Sequence, residues 1–65
     1  MSGTVKFFNS EKGYGFIVPS DGSTDIFFYY SDVVDDGWPQ ADSKVTYDIG
    51  QNKRGPCAKN IKVLG

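Results

Sequence analysis

Turn-forming residues interrupt this chain before any run grows long enough to make a helix. Asn9-Ser10-Glu11-Lys12-Gly13, Pro19-Ser20-Asp21-Gly22-Ser23, Asp35-Asp36-Gly37 and the stretch from Gly50 to Pro56 all combine Gly, Pro, Asn, Asp or Ser. These residues accept positive φ, preset φ, or bond their own backbone. The runs between them are short and rich in aromatic and β-branched side chains, which suit a pleated surface. They predict strands at about residues 4–9, 14–18, 25–30, 44–49 and 57–63. No segment keeps a helical period; a single turn around Ser31-Asp32-Val33-Val34 is the one helical candidate. Five short strands in 65 residues favour a barrel, since closure leaves no adhesive edge.

Alternation along each strand separates inside from outside. Tyr14 and Phe16 share one face, opposite Gly15 and Ile17. Phe27 and Tyr29 oppose Ile26 and Phe28, while Val45, Tyr47 and Ile49 align against Lys44, Thr46 and Asp48. The expected core is Val5, Ile17, Ile26, Phe28, Val45, Ile49 and Ile61. So small a barrel has limited interior room, which leaves Tyr14, Phe16 and Phe27 on the surface by exclusion. Gly13 and Gly15 flank Tyr14, so no bulky neighbour shields its ring. Glycine inside a strand also lets a sheet coil into a barrel.

A single domain over residues 1–65 is expected at this length. Cys57 is the only cysteine and the chain has no histidine, which excludes a disulfide and a Cys/His zinc site. No histidine is present to serve as a general base or to activate Cys57 or a serine. Catalysis, a metal and a cofactor are therefore not expected. The beginning of the chain lacks an apolar signal region, and no run is long enough to span a bilayer. These features point to the cytoplasm.

The chemistry that remains lies in the rings. Lys12-Gly13-Tyr14-Gly15-Phe16-Ile17 is followed within ten residues by Asp25-Ile26-Phe27-Phe28-Tyr29-Tyr30. Rings crowded on one face of a sheet suit a flat partner, and stacking one base on an aromatic is worth roughly 1–3 kcal/mol. The first motif begins like the RNA-binding consensus of Lys/Arg, Gly, aromatic, Gly/Ala, Phe and Val, then departs at Ile17 and Pro19. The net charge of −1 argues against a charge-driven nucleic-acid binder. Its distribution softens that: Asp32, Asp35, Asp36 and Asp42 crowd the middle, and Lys6, Lys12, Lys53, Arg54 and Lys59 lie in the outer segments. A local positive patch tracks a phosphate backbone weakly, leaving stacking as the larger contribution.

The chain resembles the bacterial-type cold-shock proteins over nearly its whole length. The matching stretches are Gly3-Thr4-Val5-Lys6-Phe7-Phe8-Asn9, Lys12 to Ile17, Asp25-Ile26-Phe27-Phe28-Tyr29-Tyr30-Ser31 and Arg54-Gly55-Pro56-Cys57-Ala58. The resemblance implies an all-β, five-stranded antiparallel Greek-key barrel with the OB-fold. It further implies binding of single-stranded RNA and DNA with little sequence preference, and RNA-chaperone activity. By that resemblance Tyr14, Phe16 and Phe27 form the central stacking platform. Phe7, Phe8, Tyr29 and Tyr30 extend it, and Trp38 on the long loop supplies another ring. Lys6, Lys12 and Arg54 would contact phosphates or base edges, and Asp25 would accept a hydrogen bond from a base.

The departures from the family pattern are specific. Family members usually carry tryptophan at Phe7, phenylalanine at Tyr14 and Tyr30, and histidine at Tyr29. Each change keeps a ring, and the tyrosines add hydroxyls that donate and accept hydrogen bonds. Phe28 stands where a valine is usual, facing the core. Overpacking there costs roughly 1–3 kcal/mol, so compensating space or a shifted third strand is expected. The loop from Ser31 to Lys44 is about two residues shorter than usual. A monomer is expected, with strand exchange between two barrels the alternative. A rival function is an SH3-like barrel whose aromatics line a groove for proline-rich peptides; a purely structural module is a third.

Overall fold

The computed structural model describes residues 1–34, 37–53 and 55–64, with Asn52 described in its backbone alone. Five strands appear in it: β1 (Ser2–Asn9), β2 (Tyr14–Pro19), β3 (Ile26–Tyr29), β4 (Lys44–Asn52) and β5 (Gly55–Val63). A one-turn 3-10 helix, Tyr30–Asp32, follows β3, one residue ahead of the turn expected at Ser31. The strands close into a barrel in the order β1-β2-β3-β5-β4. The pairings between these strands are antiparallel except that β3 meets β5 in parallel at Phe27 and Cys57, and an isolated bridge from Val33 to Ile61 is also parallel. No helix of the described residues is long and apolar enough to cross a membrane.

The turns form as their residues dictate. Asn9 Oδ1 accepts hydrogen bonds from the backbone N–H groups of Glu11 and Lys12, both at 3.0 Å. Gly13 closes that turn at φ 73°, its N–H donating to the Asn9 carbonyl at 2.8 Å. Asp21 does the same for the β2–β3 turn, accepting from the Ser23 N–H at 2.9 Å and the Ser23 hydroxyl at 2.6 Å. Gly22 beside it has φ 80°.

The core consists of Val5, Ile17, Phe28, Val45, Tyr47, Ala58 and Ile61, with Phe8, Ile26, Val33 and Val63 packed against it. Two expectations need correction. Ile49, expected inside, is 47% exposed, and Ile26 is only partly buried. The cause at Ile49 is the layout of β4. Only its first three residues, Lys44, Val45 and Thr46, pair with β1. From Asp48 onward β4 pairs with β5 alone, so Ile49 lies on a free edge of the sheet, beyond the reach of β1. A bulge lies just before it: Thr46 pairs with Lys62 but Asp48 with Lys59, and Asn60 adopts φ 51°. The extra residue is on β5, where it shifts the facing of that strand.

Phe28 is fully buried, and Gly15 explains how. The two are direct partners across the β2–β3 ladder. A Cβ on Gly15 would lie 2.8 Å from Phe28 Cε1 and 2.9 Å from Cζ, and would collide with the Phe7 carbonyl. The space expected for the large side chain is thus the missing side chain of Gly15. On its other side the Phe28 ring lies nearly parallel to Phe8, at 11° and 5.9 Å.

Candidate nucleic-acid interface

A bulge in β1 decides which rings face outward. Val5 pairs with Ile17 and Phe7 with Phe16, so Lys6 has no residue opposite it. Strict alternation from the buried Val5 would send Phe7 inward and Phe8 outward. The extra residue reverses both: Phe7 is 43% exposed, and Phe8 turns in to pack against Phe28 and the core.

The outward rings form a continuous group over β1, β2 and β3. Tyr14 and Phe27 are nearly parallel, 18° apart with centroids at 5.5 Å. Phe16 stands edge-on to both, at 88° to Tyr14 and 76° to Phe27. Tyr29 stands edge-on to Phe27 at 85° and 4.8 Å, and Phe7 lies 6.0 Å from Tyr14 and 6.5 Å from Phe16. Edge-to-face contact sets the positive rim of one ring against the negative face of the next. The rings therefore hold each other in place before any ligand arrives.

A groove of about 460 Å³ lies over this group, lined by Lys12, Tyr14, Phe16, Phe27 and Tyr29. A second groove of equal volume, lined by Met1, Val34, Thr46, Tyr47, Asp48, Asn60 and Lys62, offers no exposed ring, because Tyr47 is buried. Only the first can present several aromatic faces to one ligand.

The other nominated rings stand apart. Tyr30 and Trp38 lie 5.2 Å from each other and 6.1 and 5.4 Å from Phe8. Tyr30 and Trp38 are exposed, while Phe8 is half-buried beneath them. Phe8 thus supports this second patch from below instead of extending the first. Asp25 and Lys6 are paired with each other, Lys6 Nζ to Asp25 Oδ2 at 3.0 Å. Both are exposed, and the sequence carried no sign of this pairing across β2. Arg54 lies outside the described residues.

Lys12 is held at the groove by its turn. The Asn9 side chain fixes its backbone N–H, and the Tyr30 N–H donates to the Gly13 carbonyl at 2.7 Å, tying the turn to the end of β3.

The family model described as 'Cold-shock' DNA-binding domain matches residues 1–64. The chain belongs to the cold-shock domain family. It is 50% identical to the cold shock protein ScoF of Streptomyces coelicolor, over 92% of each chain. It is 42% identical to a probable cold shock protein A of Mycolicibacterium smegmatis, over 95% of this chain and 96% of that one. To a cold shock-like protein, CspG, of Escherichia coli it is 41% identical, over 98% of this chain and 94% of the other. As a cold-shock domain it is a nucleic-acid-binding protein with an OB-fold. The family match turns the aromatic face toward nucleic acid and away from the peptide groove of the SH3-like rival.

Proposed function

We propose that this protein, as one domain over residues 1–65, binds single-stranded RNA and DNA by stacking unpaired bases on its outer rings. Phe7, Tyr14, Phe16, Phe27 and Tyr29 make up the main platform, with Tyr30 and Trp38 a second landing place. Lys12 and Arg54 contact phosphates or base edges; Lys6 and Asp25 do so after parting from each other. The protein acts as an RNA chaperone, a binder and not a catalyst, working as a monomer in the cytoplasm. A free, buried Cys57 is consistent with a reducing compartment.

The observation that carries this reading is the five-ring group on one outer face, with a lysine at its end. Bases inside a duplex have no free face to stack, so such a platform selects unpaired strands and draws a hairpin toward its open form by mass action. Three or four stacked bases at roughly 1–3 kcal/mol each reach about the micromolar range once ordering costs are met.

The test is titration with oligothymidine, read by quenching of the single tryptophan, Trp38, across a salt series. Three or four phosphate contacts give a slope of about −2 to −3 for a single strand. A slope steeper than about −6 would make charge the driving force. A fluorescently labelled RNA hairpin should open as protein is added; a hairpin that stays closed at saturating protein removes the chaperone reading.

A further inference from the structure

The groove is not uniform along its length. Phe16 and Phe27 make one end apolar. At the other end Tyr14 and Tyr29 are direct partners across the ladder, and Lys12 lines the same groove. Among the described residues, neither phenol hydroxyl and no N–H of the Lys12 ammonium has a side-chain partner. Lys12 lies in the β1–β2 turn and Tyr14 and Tyr29 at the strand ends beside it, which the Asn9 and Gly13 contacts tie down.

Hydrogen-bond inventory gives this end a definite bias. The ammonium brings three donors and no acceptor, and each phenol brings one donor and an acceptor oxygen. Donors therefore outnumber acceptors. The best-matched base edge presents two neighbouring acceptors with no donor between them. Guanine does so with O6 and N7, whereas adenine places an amine beside N7. Uracil and thymine separate their two carbonyls by an N–H. A purine also covers more ring surface than a pyrimidine.

We infer that the Lys12, Tyr14 and Tyr29 end of the groove selects guanine among stacked purines, by donating hydrogen bonds to O6 and N7. This rests on the single-strand stacking reading above and adds a base preference at one position of the bound strand.

The experiment uses hexathymidine carrying one purine, placed at each position in turn. Guanine should bind about fivefold or more tighter than adenine in at least one position, the lower end of what a paired donor contact to guanine gives. Inosine, which keeps O6 and N7, should match guanine; 7-deazaguanine should fall toward adenine. In the Tyr14→Phe/Tyr29→Phe variant the guanine-to-adenine affinity ratio should fall toward one, because the rings remain and the hydroxyl donors do not. Tyr29→Phe alone, at an exposed position, carries the same test should the double variant unfold. Equal binding of guanine and adenine at every position overturns the inference, as does a ratio that survives loss of the hydroxyls. If hexathymidine itself fails to bind, the stacking reading falls and this inference falls with it; hexathymidine binding without purine discrimination sinks the inference alone.

Discussion

Gly15 and Phe28 face each other across β2 and β3, and the Phe28 ring occupies the volume that a side chain at position 15 would need. Gly15→Ala should therefore cost about 2–3 kcal/mol, at the upper end of overpacking penalties. Phe28→Val should relieve part of that cost in the double variant. Recovery stays incomplete because the Phe7 carbonyl also blocks the added Cβ. Urea unfolding of the two single variants and the double gives the coupling; strict additivity would contradict it.

Phe16→Ala and Phe27→Ala separate a binding platform from a structural one. Both rings are half-buried on the outer face. Each variant should keep a cooperative unfolding transition and bind hexathymidine about tenfold less tightly or worse, the loss of one stacked base. Collapse of the transition with unchanged affinity per folded molecule would assign the rings to stability instead.

Lys6 is neutralised by Asp25 in the free protein. An exposed pair of this kind contributes about 0–1 kcal/mol, so Asp25→Asn should barely change stability. It should free one cation for the strand, and the salt slope should steepen by about 0.7. Binding isotherms at several salt concentrations measure it, and an unchanged slope would show that Lys6 never reaches a phosphate.

The Tyr47 hydroxyl is buried and has no hydrogen-bond partner among the described residues. An unsatisfied buried group costs about 1–3 kcal/mol. Tyr47→Phe removes it without changing the ring, and should stabilise the protein by about 1 kcal/mol, or roughly 4–8 °C in Tm. Thermal unfolding decides; a lower Tm would reveal a partner for the hydroxyl in solution.

Hydrogen bonds from the Ser23 hydroxyl, then from its N–H, hold the Asp21 carboxyl below its ordinary 3.8. A folded-state value below the unfolded one gives stability that is fully present above the unfolded value and fades as pH falls through the folded one. Asp21→Asn cannot titrate, so the wild type should lose Tm faster than the variant on acidification below about pH 4. Parallel curves in that range would mean that the turn does not hold the carboxylate in solution.

Much of this architecture can be read from the residues, because aromatic and β-branched runs between turn formers leave few options other than short strands. Val5, Ile17, Phe28, Val45 and Ile61 occupy the interior as alternation requires. Alternation misplaces both Ile49 and Phe8. Each lies just beyond an irregularity, at Asn60 on the partner strand or at Lys6 on its own. No local composition announces such an insertion. The Lys6–Asp25 contact is equally silent, being made between residues whose proximity depends on β2 lying between them. The grouping of Phe7, Tyr14, Phe16, Phe27 and Tyr29 was more legible, because the β2–β3 hairpin already puts four of them on one side.

The bulge at Lys6 has a consequence for how this strand can change. Whether Phe7 meets solvent or the interior depends on counting residues from Val5, odd or even, and not on the chemistry of Phe7 itself. Losing a single codon at position 6 would swap the destinations of two phenylalanines at once, an outcome no point substitution in β1 can reproduce. One ring can thus replace another along the strand with its face kept, whereas a change in the strand's length reverses the faces.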